Sequence, residues 1–169
     1  GHQKRVEELV RAISDELGFD NNKIRMLSIA SLVHDIGKIG IPASILSKPA
    51  KLTEIETKMV RIHPEVGHNI LKEIDFGYPV AKIILQHHEK LDGSGYPKGL
   101  TSGQILFDAK IIAVADTVEA MISHRPYRPA KSIEEALEEI EALKDTHYDP
   151  EIVDVCIKLF KEKNFKFDF

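Results

Sequence analysis

Residues 105–123, "ILFDAKIIAVADTVEAMIS", constrain this chain more than any other stretch. Apolar side chains fall on nearly every side of a helical wheel here, and a helix with that pattern is mostly buried. Its cleanest apolar run, "IIAVA" at 111–115, is far too short to span a membrane. One residue breaks the pattern. Asp116 places a carboxylate inside the buried stretch, where an unpaired charge would be strongly destabilising. It therefore needs a partner, either a salt bridge or a metal ion.

The remaining segments also read as helices, and strand patterns are nearly absent. "KRVEELVRAISDELGF" sets Val6, Leu9, Val10, Ile13 and Leu17 on one face. "DNNKIRMLSIASLVHDIG" follows, with Asp20 or Asn21 as N-cap and Gly37 near its end. "TEIE" at 53–56 is a capping box that opens a third long helix, and Pro64 forces a break or a new start. "PEVGHNILKEI" and "YPVAKIILQHH" continue helically. "SIEE" at 132–135 caps another helix, and "DPEIVDVCIKLFKEK" is the last. The expectation is an all-α, single-domain bundle of about six to eight helices spanning residues 1–169.

With 169 residues, 43% hydrophobic and 30% charged, the chain suits one domain with one core. Its net charge of −4 carries no signature of nucleic-acid binding. The single cysteine, Cys156, excludes an internal disulfide and thiolate-rich zinc sites, and its apolar flanks read as core. Neither a signal peptide nor a membrane segment is expected, and the expected setting is reducing and cytoplasmic. Helical pattern begins almost at once after Gly1-His2. That suggests a domain cut from a longer chain, and it leaves His2 open as a native residue or a cloning remnant.

Eight histidines are present. "SLVHDIGK" brings His34 and Asp35 to the end of an apolar helix, where burial is costly unless the groups are paired or metal-bound. About 100° apart on a helix, they can reach the same ion. His87 and His88 pose the same problem. They bind one ion at the helix edge, flank a pair of ions, or serve as helix-terminal partial cations. His68 lies five residues after His63, so on a helix it points about 140° away. With His124 and His147, in polar segments, it is expected to have no catalytic role. After His88 comes a loop, "DGSGYP" at 92–97. Gly93 and Gly95 can adopt positive φ and let backbone amides approach a ligand. Tyr96 adds an aromatic face and a hydroxyl, and Pro97 stiffens the exit. Alone, the loop reads equally as a turn between helices.

Together, His34-Asp35, Lys38, His63-Pro64, His87-His88, "DGSGYP", "VAD" at 114–116 and "SHRPYR" at 123–128 resemble the HD-GYP family. These are bacterial phosphodiesterases within the HD superfamily of metal-dependent phosphohydrolases. The likeness covers essentially the whole chain, and the ordered set is highly specific. It implies an HD-type helical bundle whose metal ligands fall on His2, His34, Asp35, His63, His87, His88 and Asp116. With Asp35 and a water or hydroxide bridging two octahedral ions, each ion keeps about one position for a substrate oxygen. The donor set suits two divalent transition-metal ions, iron or manganese first and zinc, nickel or cobalt as alternatives. The family's third ion draws on an acidic residue one turn before the first histidine, a position this sequence starts too late to contain.

The implied reaction is hydrolysis of cyclic di-GMP to pGpG and/or GMP, with cyclic GMP-AMP as a close second substrate. Asp35 and Lys38 would act in catalysis. Lys38, four residues after His34, would face the site if the helix continues and contact phosphate or the leaving oxygen. Gly95, Tyr96, Pro97, Arg125 and Arg128 would contact substrate, the arginines through guanidinium forks suited to phosphate or guanine edges. Glu89 and Asp92 are candidates to orient imidazoles. Diguanylate cyclase or receptor domains are the expected protein partners. Two other readings stay open: a different HD-type nucleotide phosphohydrolase, and a binding or signalling module with little catalysis.

Overall fold

The computed structural model describes residues 1–123 and 129–167. Nine α-helical segments occur among them: α1 (His2–Glu16), α2 (Asn21–Val33), α3 (Ala43–Leu46), α4 (Glu54–Val60), α5 (His63–Leu71), α6 (Val80–Gln86), α7 (Phe107–Ile122), α8 (Ile133–Ala142) and α9 (Pro150–Lys161). Two 3-10 turns, Ile36–Gly40 and Ser102–Gln104, complete the set. The described residues form no strand, only the isolated bridges Asp92 to Thr101 and Lys144 to Tyr148. With the four-residue α3 counted as a turn, this is the expected all-α bundle.

The long apolar helix is the centre of that bundle. α7 packs against α1, α6, α8 and α9, while α6 also meets α2 and α5. Ile111, Ile112, Val114, Ala115 and Val118 are fully buried along it. They face the α1 stripe of Val6, Leu9, Val10 and Ile13 and, from α9, Ile152, Val153 and Cys156. Each large aliphatic side chain removed from water contributes about 1.5–3 kcal/mol. Cys156 is core, as its flanks imply, and burial pushes its thiol up to about 12.

Local signals act where the sequence places them. The Asp20 carboxylate accepts from the Lys23 amide at 2.9 Å and starts α2. Capping boxes at Thr53/Glu56 and Ser132/Glu135 open α4 and α8. Two expectations need correction. The helix from Thr53 is not long: α4 ends after seven residues, and α5 begins afresh at His63 with a proline in its first turn. Nor does α2 reach Gly37. It ends at Val33, His34 caps it, and the chain tightens into the 3-10 turn. Gly37 serves this change by close approach. A Cβ there would lie 1.9 Å from the His63 carbonyl oxygen, so only glycine lets this turn pack on the start of α5.

Candidate metal centre

These helix ends are what build the site. His2 opens α1, His34 caps α2, His63 opens α5 and His87 caps α6, with His88 next to it. Asp35 starts the 3-10 turn, and Asp116 projects from the middle of α7. All seven residues expected as ligands converge. His87 and His88 ring centroids are 4.0 Å apart, His63 lies 5.3 and 5.0 Å from them, and His34 lies 5.2 Å from His87 and 5.6 Å from His2.

Hydrogen bonds fix which ring nitrogen faces inward. The Nδ1 of His34 lies 2.6 Å from the Ser31 carbonyl, that of His63 2.7 Å from Val60, and that of His87 2.6 Å from Ile84. Nδ1 is therefore a donor in each, which turns each Nε2 toward the centre. His63 Nε2 and His87 Nε2 stand 3.4 Å apart. The buried His34 Nε2 and Asp35 Oδ1 make no hydrogen bond. Buried polar atoms without partners are costly, and a cation among them resolves the cost.

Two sets of donors flank Asp35, and a third, made of His34, Asp35 and His87, spans them. Ligand atoms of His63, His87 and His88 lie within 4.8 Å of one another, as do those of His2, His34 and Asp116. Asp35 sits between the groups. Its Oδ1 is 3.4 Å from His63 Nε2, while its Oδ2 is 3.6 Å from His34 Nε2 and 3.7 Å from His2 Nε2. The residues present thus fit a metal centre built from His and Asp donors.

The electrostatics suit this role. Burial lowers His87 to about 3, with the neighbouring His34 charge adding to it, and burial likewise lowers His63 and His88. These imidazoles favour the neutral form that a ligand requires. Burial opposes charge on Asp116, but the His2 and His34 imidazoles, with Nε2 3.3 and 3.7 Å from its Oδ1, outweigh it and hold the carboxyl well below its usual range. Asp35 is also lowered, with burial opposing and His34 and Lys38 prevailing.

Lys38 arrives by a route its spacing did not foresee. The helix does not continue, yet the 3-10 turn brings Nζ to 2.6 Å from Asp35 Oδ2. The glycine-rich loop also differs in detail. Gly93 has φ +81°, but Gly95 does not use a positive φ. A Cβ at Gly95 would lie 2.4 Å from the Lys90 amide nitrogen and 2.5 Å from the His88 carbonyl oxygen, so this glycine lets the loop fold against the histidine segment. The Tyr96 ring then stacks on His88, with centroids 4.8 Å apart, and the Arg61 guanidinium lies over the Tyr96 ring, 5.0 Å from its centroid. Pro97 follows through a cis peptide bond. Glu89 does not orient an imidazole. Its carboxylate accepts from the Lys98 and Leu100 amides, both at 2.8 Å, and closes the loop. Asp92 likewise bonds within the loop, to Ser94. His68 lines a separate surface hollow with Glu65, Asn69, Leu85 and Lys98. Arg125 and Arg128 lie outside the described residues, as does His124.

One residue was missed. Glu119, fully buried on α7, accepts from His2 Nδ1, from Arg5 Nε at 2.9 Å and from Ser123 Oγ at 2.6 Å. The available signal was a second carboxylate one turn after Asp116 in the same apolar helix. Burial opposes charge on His2, yet Asp116 and Glu119 together raise it to about 9.

The profile of the HD domain family matches residues 1–152. The chain belongs to the HD domain family. This HD domain is 43% identical over 165 residues to a "Cyclic di-GMP phosphodiesterase" of Thermotoga maritima, covering 95% of the chain and 44% of that protein. It is 38% identical over 151 residues to "3'3'-cGAMP-specific phosphodiesterase 3" of Vibrio cholerae, covering 89% of the chain and 33% of the relative. The domain therefore spans less than half the length of these curated relatives. Among solved structures, Bd1817, a HDG"Y"P protein from Bdellovibrio bacteriovorus, superposes with a TM-score of 0.76 at 22% identity, over 95% of this HD domain and 51% of that chain. That likeness carries the fold. No helix among the described residues is long and apolar enough to cross a membrane.

Proposed function

We propose that this domain is a metal-dependent phosphodiesterase that hydrolyses cyclic di-GMP to pGpG and/or GMP. The observation that carries the reading is the inward Nε2 set around Asp35, with His34 Nε2 and Asp35 Oδ1 left without hydrogen bonds. His2, His34 and Asp116 would hold one ion, His63, His87 and His88 a second, with Asp35 between them. Iron or manganese suits these donors, and zinc, nickel or cobalt would be accepted. When bound, such a pair supplies Lewis acidity to phosphoryl oxygens and lowers the pKa of an attacking water.

The chain's own residues do the rest. The Asp35 carboxylate offsets the repulsion between two cations. Lys38, already beside Asp35, can swing to a phosphoryl oxygen or to the oxygen that leaves. Tyr96, in contact with His88 and Arg61, gives the site an aromatic wall. Arg125 and Arg128, outside the described residues, are proposed for further phosphate or guanine contacts. The names of the Thermotoga maritima and Vibrio cholerae relatives support a cyclic dinucleotide substrate and favour cyclic GMP-AMP as the second to assay.

The test is anaerobic purification, elemental analysis, and turnover of a nucleotide panel with each metal. About two ions per chain and cleavage of cyclic di-GMP are expected. Rapid deoxynucleotide hydrolysis without cyclic dinucleotide cleavage would assign a different HD-type phosphohydrolase. Tight cyclic di-GMP binding without turnover under any metal would assign a signalling module.

A further inference from the structure

We propose that Glu119 is the positioning residue of one half of this site. It aims His2 and sets ion affinity at the His2, His34 and Asp116 group, and it leaves the His63, His87 and His88 group untouched. The proposal rests on the two-ion reading above.

Four of the site histidines are aimed in two different ways. His34, His63 and His87 each donate Nδ1–H to a backbone carbonyl three residues earlier. His2 instead directs Nδ1 to a carboxylate 117 positions away. Glu119 stands three residues after Asp116, on the same face of α7. One helix face therefore provides a ligand and also the group behind another ligand.

Glu119 is held firmly enough for this. Its side chain is fully buried, Oε1 accepts from Arg5 Nε at 2.9 Å and from Ser123 Oγ at 2.6 Å, and Arg5 Nη2 pairs with the same oxygen at 2.7 Å. Oε2 is thereby turned to His2. Nε2 of His2 is left facing Asp116 Oδ1 at 3.3 Å and Asp35 Oδ2 at 3.7 Å. A carbonyl behind an imidazole fixes its orientation. A carboxylate there also strengthens the other nitrogen as a donor. Arg5, on the same helix as His2, clasps the same carboxylate. The competing role for this network is a plain tie between α1 and α7, and the two roles separate experimentally.

The experiment uses chelator-treated protein titrated with Mn(II) by equilibrium dialysis. Proton–nitrogen NMR of the histidine rings is recorded before metal is added. Wild type should show a far-downfield His2 Nδ1 proton and take up two ions. Glu119→Gln should move that proton upfield and weaken one ion about 10–100-fold, the usual scale for such outer partners, with the other unchanged. In a His2→Ala background, adding Glu119→Gln should change nothing further. Arg5→Met removes the tie but keeps the carboxylate, so both ions and the downfield proton should remain. The proposal is overturned if Glu119→Gln binds both ions like wild type, if it weakens both equally, or if Arg5→Met reproduces its loss. Wild type that takes up no Mn(II) overturns the two-ion reading, and the affinity role with it. A wild-type His2 proton that is not downfield overturns the positioning role even when both ions bind.

Discussion

His63 Nε2 and His87 Nε2 lie 3.4 Å apart in a buried centre, and each ring has its Nδ1 tied to a carbonyl of its own chain segment. Neither ring can turn to offer a proton without breaking that bond. Two lone pairs therefore face each other, an arrangement that a cation between them makes favourable.

His63→Ala should accordingly lose metal and activity together. His68→Ala should keep both, since His68 lies in a separate hollow. Elemental analysis and turnover on parallel preparations decide this. The reverse pattern would mean that α5 carries a different histidine into the site.

Asp35→Asn is nearly isosteric, so the protein should fold. An amide offers one good oxygen donor and no charge. We expect at most one firmly bound ion and turnover of cyclic di-GMP at least ~100-fold slower, because both Lewis acids depend on the shared carboxylate. Circular dichroism, metal content and single-turnover rates on one preparation give the answer. Full activity with two ions would transfer the bridging role to Asp116.

Gly95→Ala should destabilise the loop that carries Tyr96. The added methyl would meet three backbone atoms within 2.5 Å. Overpacking of this kind costs about 1–3 kcal/mol, a Tm fall of roughly 2–12 °C for a chain this size. Gly103→Ala, whose methyl would have nothing within 4 Å, is the matched control. Equal melting temperatures for the two variants would contradict the packing described.

The metal-free protein should lose stability in acid. His87 is lowered from 6.5 to about 3, so between those values the unfolded chain binds a proton that the folded chain refuses. Stability contributed by neutral His87 is thus complete above about pH 6.5 and falls as pH drops toward 3. His63 and His88 shift in the same direction. His2 acts oppositely. Raised to about 9, its contribution is complete below 6.5 and disappears as pH rises through 9. Denaturant midpoints of chelated protein across pH 4–10 should peak between these flanks. A midpoint that rises steadily on acidification would contradict the burial of these rings.

Much of this was legible in the sequence. The caps at Asp20, Thr53 and Ser132 work within three residues, and the burial of α7 follows from composition alone. All seven proposed ligands came from their company in sequence and from the family likeness. What stayed hidden depends on contacts between distant segments. Glu119 matters because α1 docks on α7, Glu89 because the loop returns to its amides, and Gly37 because a turn presses on His63. Lys38 reached the site although its helical register was misread, since the 3-10 turn compensates for the early end of α2.

The two ways of aiming histidines also bear on assembly. His34, His63 and His87 are each oriented within a span of four residues, so their aim is set as soon as a local turn forms. His2 acquires its aim only when the first and seventh helices meet. A nascent or partly unfolded chain with its first helix undocked would still present three correctly directed imidazoles. Metal capture can then begin before the bundle closes, and docking of the first helix becomes the step that completes the centre.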